Sequence, residues 1–198
     1  MTLTEMAHEI DEPVTVVAYD ARWPSWFEAD AEELLGALGT RLRDVQHFGG
    51  TSVPDTPAKP IIDILVAPVE WPLAAIDRDT IQQLGYEYLG EANVPGREYF
   101  RRRATHDTNL GLVQWESPLW RDNLLLRDFL REHGDAATEY ARAKMEAWQS
   151  GARTLLAYSA RKTHVITALL NAARTWRRGQ QRHQLVQSPP HRPDLPRP

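Results

Sequence analysis

The chain has 198 residues, of which 42% are hydrophobic and 25% are charged, and its net charge is −4. This length favours one domain, and this composition is typical of a globular protein rather than a disordered one. Without cysteine, the chain cannot form disulfides or thiolate metal sites. The stretch from Arg174 to the last residue contains six arginines and one aspartate, so the residues before it are more acidic than the chain as a whole. We therefore do not expect nucleic acid as the ligand, because its binding depends on neutralising phosphates.

The beginning of the chain, MTLTEMAHEIDEP, is acidic and lacks the apolar run of a secretory signal. No stretch approaches the ~18 apolar residues that span a bilayer. We therefore expect a cytoplasmic protein that has no membrane partner. Residues 1–12 are expected to form a flexible acidic arm, 13–178 the folded domain, and 179–198 a disordered tail rich in proline and arginine.

The predicted elements alternate between strands and helices and end in a helical last third. Strands are predicted over 14–19, 45–48, 61–66, 86–89, 98–104 and 109–115. Helices are predicted from just after Asp20 to Leu38, and over 73–84, 118–133, 135–149 and 160–177. This order favours an α/β (α+β) fold, with a mixed β-sheet, flanking helices and a helical C-terminal third.

The loop after the second strand carries residue types that suit a phosphate ligand. Gly49 and Gly50 allow a sharp turn and the close approach of a ligand. Thr51 and Ser52 add hydroxyl and backbone N–H groups, and Lys59 adds a positive charge. A plain tight turn is the alternative explanation of the two glycines.

Asp63 is the only charged residue within an otherwise apolar predicted strand. An ionised carboxylate is costly in such a place unless it is paired or binds a cation. We interpret Asp63 as the catalytic and metal-binding residue. The alternative is a hydrogen-bonded carboxylate that caps a neighbouring loop.

Lysine is rare in this chain, because only three of its 23 basic residues are lysines. A lysine retained among so many arginines is a candidate for a role that the planar guanidinium cannot fill. Tyr140 and Lys144, and again Tyr158 and Lys162, are four residues apart, which places a ring and an ammonium on one helix face. Both lysines could then offset phosphate charge. Chance retention and lysines that snorkel past core tyrosines are the alternatives.

Three further side chains complete the candidate set. Arg127 could reach a phosphate from its helix, or form a surface ion pair of little value. His47 and His106 are candidate acid/base groups. A solvated loop histidine is the alternative for His106, which stands at the start of a strand.

Three sequence blocks together resemble the GrpB family: VVAYDARWPSWF, HFGGTSVPDTPAKPIIDILV and LRDFLREHGDAATEYARAK. The resemblance covers residues 14–173. It implies a nucleotidyltransferase-like fold, and a relation to the accessory domain found on some dephospho-coenzyme A kinases. In active nucleotidyltransferases a second carboxylate follows two residues after the aspartate, and the two share Mg²⁺ ions.

This sequence departs from that pattern, because Leu65 stands where the second carboxylate would be. Glu98 and Asp107 are candidates for a replacement acid, and surface charges are the alternative for both. Mg²⁺ is the expected cofactor, but a single carboxylate at Asp63 binds it weakly unless ligand phosphates contribute.

We therefore expect the partner to be a nucleoside triphosphate or another phosphorylated small molecule. The predicted reaction is transfer of a nucleotidyl group to an unknown acceptor. The missing carboxylate favours an alternative, a catalytically degenerate nucleotide- or phosphate-binding module or a folding accessory. A third hypothesis is that the protein activates a small carboxylate with ATP. The predicted phosphate-binding residues are Gly49, Gly50, Thr51, Ser52, Lys59, Arg127, Lys144 and Lys162.

Overall fold

The computed structural model describes residues 11–187, so most of the expected acidic arm and the proline-rich end lie outside the described residues. Five strands form one sheet in the order β1-β2-β5-β4-β3. The β2–β5 pair is parallel and the other neighbouring pairs are antiparallel. This mixed sheet confirms the predicted fold class. The strands are β1 Leu42–Phe48, β2 Ile61–Pro68, β3 Glu87–Tyr88, β4 Arg97–Arg103 and β5 Asp107–Val113.

Five helices accompany the sheet within residues 11–187. They are α1 Trp23–Leu38, α2 Ala75–Gln83, α3 Pro118–Glu132, α4 Gly134–Gln149 and α5 Leu155–Gln187. The last of these begins earlier than predicted and continues to Gln187, past residue 178, where the domain was expected to end. Within this part of the chain, no helix combines the length and apolarity that crossing a membrane requires.

The predicted first strand, 14–19, is wrong. This segment makes one isolated bridge, from Val17 to Ala58, and a second bridge just before it joins Pro13 to Thr154. Its apolar, β-branched composition suits a strand, but its partners are single loop positions rather than a neighbouring strand. The segment runs beside the start of α5, where the Leu155 amide donates to the Glu12 carbonyl at 2.9 Å.

The alternation of side chains along β2 divides the core between the two faces of the sheet. Ile62, Ile64 and Val66 pack with side chains of α1 on one face. Leu65 and Ala67 pack with side chains of α3 on the other. Asp63 belongs by the same alternation to the α3 face, at the end of β2 that lies nearest the glycine loop.

A buried aspartate on α1 ties this helix to the β4–β5 hairpin. The Asp30 carboxylate accepts hydrogen bonds from Arg102 and Thr108 at 2.6 Å each. His106 Nε2 lies 3.1 Å from both Asp30 oxygens, and its ring stacks on Trp26. His106 therefore lies on the α1 side of the sheet, away from Asp63, and its predicted acid/base role stays a prediction.

Replacing Asp30 by alanine should lower the free energy of unfolding by about 3–5 kcal/mol, because it breaks a buried charged network. Glu33→Ala is the matched control, since Glu33 also pairs with Arg102 but its side chain is 42% exposed. It should cost less than about 1 kcal/mol. Urea denaturation measures both, and equal losses would contradict a structural role of the buried network.

Candidate functional site

A cleft of about 330 Å³ lies between the α3 face of the sheet and the helices α4 and α5. Its walls come from the glycine loop, β2, β4, β5 and the facing sides of both helices. The cleft brings together six of the residues predicted from the sequence: Gly49, Gly50, Lys59, Asp63, Lys144 and Lys162.

Asp63 lies at the sheet wall of this cleft, and its side chain is 13% exposed. Its Oδ1 lies 3.2 Å from Lys59 Nζ and accepts a hydrogen bond from Asn109 Nδ2 at 2.8 Å. Arg103 in turn donates to Asn109 Oδ1 at 2.9 Å and so fixes the orientation of the amide. The carboxylate is therefore both paired and turned toward the cleft.

The two glycines bring the backbone closer to these groups than any other residue could. Gly49 has a φ of +72°, and a Cβ there would overlap the Asp63 carboxylate. A Cβ at Gly50 would lie 3.0 Å from the Ala58 Cβ and 3.2 Å from Lys144 Nζ. A plain tight turn does not require such contacts, so both glycines shape the wall of the cleft.

The predicted pairing of tyrosine and lysine on two helices is confirmed. Lys144 Nζ lies 4.1 Å from the centre of the Tyr140 ring on α4. Lys162 Nζ lies 4.4 Å from the centre of the Tyr158 ring on α5. Each ring offers its negative face to an ammonium group, and both pairs line the cleft.

The cleft holds more positive than negative charge. Lys144 is 1% exposed, and within residues 11–187 its Nζ has no hydrogen-bond partner. Burial, reinforced by the charge of Lys162, lowers the pKa of Lys144 to about 7, and Asp63 opposes this shift. Burial and the charge of Lys59 lower the pKa of Lys162 to about 8. Lys162 thus makes Lys144 harder to protonate, and Lys59 does the same to Lys162.

Sequence reasoning missed a fourth cation, Arg97, which also lines the cleft. Its guanidinium carbon lies 4.5 Å from the centre of the Tyr99 ring, and its buried Nε has no partner within the described part of the chain. Burial lowers the pKa of Arg97. Asn109 was also missed, although its register opposite Asp63 on the neighbouring strand is a signal that alternation could have supplied.

Four other predicted residues line a second pocket of about 520 Å³ instead: His47, Thr51, Ser52 and Arg127. His47 Nε2 lies 3.0 Å from Thr51 Oγ1, and burial lowers the pKa of His47 to about 4. Arg127 donates to the His47 carbonyl at 3.0 Å, and Ser52 Oγ donates to the Gly49 carbonyl at 2.8 Å. These residues hold the loop in place and lie outside the cleft that contains Asp63.

Neither of the replacement acids expected from the sequence lines the cleft that contains Asp63. Glu98 pairs with Arg78 at 2.5 Å, and Asp107 lies 3.9 Å from Arg103. Residues 11–187 contain no group of three histidine, aspartate or glutamate side chains that could hold a metal ion. Because Asp63 Oδ1 is already engaged, the donor set does not fit a resident divalent cation.

The fold and this site define a mixed α/β protein with a lysine-lined cleft at one end of its sheet. A family model described as GrpB protein matches residues 13–172. The chain therefore belongs to the GrpB family, as the sequence blocks predicted. Its suggested relation to the nucleotidyltransferases stays a prediction.

Individual relatives agree with this membership. The chain is 32% identical over 160 residues to the UPF0157 protein SCO7215 of Streptomyces coelicolor, which covers 81% of this chain and 84% of that protein. It is 28% identical over 167 residues to the UPF0157 protein YqkA of Bacillus subtilis, and it spans only 49% of that longer protein. The crystal structure of conserved protein GrpB from Enterococcus faecalis aligns with a TM-score of 0.74 and 30% identity, over 82% of this chain and 99% of that one.

Replacing Gly49 by alanine should destabilise the protein more than the same change at Gly96. Both positions have positive φ, but a Cβ at Gly96 would meet nothing within 4 Å. Gly96→Ala should therefore show only the cost of the left-handed backbone, about 1–2 kcal/mol. Gly49→Ala should add at least about 1 kcal/mol, because the φ of 72° and ψ of −160° at Gly49 lie in a region that essentially only glycine adopts and because its Cβ would displace Asp63. Chemical denaturation compares the two, and equal losses would contradict both sources of extra cost.

Proposed function

We propose that the cleft binds a phosphorylated small molecule, with nucleoside triphosphates among its ligands, and that it does so without a resident metal ion. The observation that carries this proposal is the excess of cations: Lys59, Lys144, Lys162 and Arg97 share a cleft with the single carboxylate of Asp63. Lys59 alone already pairs with that carboxylate. The remaining cations have no counter-charge of their own among the residues lining the cleft.

An anion in the cleft would supply the counter-charge that these cations lack. Buried cations without hydrogen-bond partners are costly, and charge-assisted hydrogen bonds to phosphate oxygens would recover that cost. Lys144 Nζ and Arg97 Nε are both buried without such a partner within residues 11–187. A bound phosphate would also raise the pKa of both lysines, so binding would take up protons near pH 8.

The size and lining of the cleft suit a small molecule rather than a polymer. Its volume of about 330 Å³ lies at the lower end of the range of roughly 300–1,000 Å³ found for ligand pockets. The side chains of Val94, Leu155 and Leu156 form an apolar part of the wall beside the cations. This combination fits a phosphate chain joined to a less polar group.

Pyrophosphate and ATP should stabilise the protein in the presence of a chelator, and Lys162→Gln should weaken binding of pyrophosphate by about 10- to 150-fold. The reason is the loss of a charged hydrogen bond, worth about 1.5–3 kcal/mol. Isothermal titration calorimetry and thermal unfolding measure this effect.

Arg161→Gln is the matched control, because it removes one positive charge from an exposed neighbour on the same helix. It should bind pyrophosphate like the wild type. No stabilisation by any phosphorylated compound would overturn the proposal. Equal weakening by both substitutions would reduce it to unspecific charge attraction.

Nucleotidyl transfer is a second candidate, favoured by the position of Asp63 on the strand that follows the glycine loop. In this reaction an acceptor oxygen bonds to the α-phosphorus, the bond to the bridging oxygen breaks, and pyrophosphate leaves. Any Mg²⁺ would have to arrive with the nucleotide, since the cleft offers one carboxylate.

Asp63→Asn distinguishes binding alone from transfer. Removing the only carboxylate that residues 11–187 contribute to the cleft should leave ATP binding equal or tighter, because the positive charge then goes unopposed. We also expect labelled nucleoside triphosphates, incubated with Mg²⁺ or Mn²⁺ and cell extract, to give no labelled product. A labelled product that disappears with Asp63→Asn would establish the transferase instead.

A further inference from the structure

We propose that Lys144 is a nucleophilic amine, which condenses with the carbonyl group of a phosphorylated aldehyde or ketone in the cleft to form an imine. The phosphate half of this ligand rests on the proposed function. The reactivity of the amine does not, because it depends only on the surroundings of Lys144.

The position of Lys144 is unusual for a lysine. The side chain is 1% exposed and its Nζ has no hydrogen-bond partner within residues 11–187. The amine sits against the Tyr140 ring, at 4.1 Å from its centre, and faces the gap left by the missing side chain of Gly50. A lysine that only packs would carry its ammonium group to water. This one ends in the wall of a cleft.

The charges around Lys144 favour its neutral form. The charge of Lys162 on α5 lowers the pKa of Lys144, the charge of Lys59 lowers the pKa of Lys162, and Asp63 opposes both shifts. Tyr140 and Tyr158 also face this space, and burial raises the pKa of both phenols, so they stay uncharged. With a pKa of about 7, roughly half of the Lys144 side chains carry a free amine at neutral pH. An ordinary lysine, with a pKa near 10.4, would offer well under about 1%.

The reaction balances without any further reagent. The Nζ lone pair attacks the carbonyl carbon, and one amine proton moves to the carbonyl oxygen, which gives a carbinolamine. The hydroxyl leaves as water, and a C=N bond replaces the C=O bond. Tyr158, whose hydroxyl is buried without a partner within the described range, lines the same cleft. It donates a proton to the departing hydroxyl and recovers the second amine proton as the C=N bond forms, so it ends the step uncharged. Lys59 and Lys162 remain to hold the phosphate.

The rarity of lysine makes the test direct, because only Lys59, Lys144, Lys162 and the N-terminal amine can react. The full chain is incubated with pyridoxal 5′-phosphate, reduced with borohydride, digested and mapped by mass spectrometry. We expect one reduced pyridoxyl phosphate group per chain, on Lys144, and none in Lys144→Arg. Unphosphorylated pyridoxal should label Lys144 at least tenfold more slowly, and pyrophosphate should compete with pyridoxal 5′-phosphate.

A pH profile keeps the test independent of the stability of the Lys144 variant. The initial rate of labelling should rise with a midpoint near pH 7. Lys162→Gln should move that midpoint to higher pH, because the loss of a neighbouring positive charge raises the pKa of Lys144. Arg161→Gln should leave the midpoint unchanged.

Each result separates the two proposals. Labelling that prefers Lys59, Lys162 or the N-terminal amine would overturn the assignment to Lys144. Stabilisation by pyrophosphate without a reducible adduct on Lys144 would overturn the imine and leave phosphate binding intact. Equal labelling by pyridoxal and its phosphate would support the reactive amine and overturn the phosphorylated ligand.

Discussion

The close approach of the Gly49 backbone to the Asp63 carboxylate is the constraint on which the site depends. It brings a loop and a strand end together at a distance that admits no side chain. Lys59 and Asn109 then satisfy one oxygen of the carboxylate from two directions. The same loop leaves an open space beside Gly50, and α4 fills its far side with Lys144. The loop thus fixes where the negative and the positive groups of the cleft can stand.

In the described part of the chain, buried charged groups have hydrogen-bond partners on one face of the sheet and lack some of them on the other. On the α1 side, the buried Asp30 is surrounded by donors that balance it, so the network serves stability. On the α3 side, Lys144 Nζ and Arg97 Nε are buried without hydrogen-bond partners within residues 11–187. Unsatisfied buried charge lowers the stability of the folded state. In this fold the unsatisfied charge lies in a cleft, where a bound anion would offset the loss of stability.

Local patterns in the sequence were sufficient for the mixed sheet, the glycine loop and the lysine-bearing helix faces, because each depends on spacing within one segment. Spacing could not show that His106 would pair with Asp30, because these residues are far apart in sequence and meet only where α1 packs against the β4–β5 hairpin. Spacing also suggested one pocket where the structure has two. Ser52 follows Gly50 by two residues, but the 3₁₀ turn over Gly50–Ser52 places Ser52 at the second pocket rather than in the cleft. Arg97 was missed because arginine is common throughout this chain, so an arginine at any one position does not by itself indicate a binding site.

The contacts of residues 11–14 with the beginning of α5 join distant parts of the chain. Asp11 Oδ1 accepts from the Leu156 amide at 2.8 Å, and Val14 donates to the Arg153 carbonyl at 2.8 Å. An aspartate thus caps a helix that starts more than a hundred residues later. Since the first turns of that helix carry Tyr158 and Lys162, the leading segment acts as a brace for one wall of the cleft. Shortening the protein there would remove contacts that position Tyr158 and Lys162, while the hydrogen bonds between the strands of the sheet would remain.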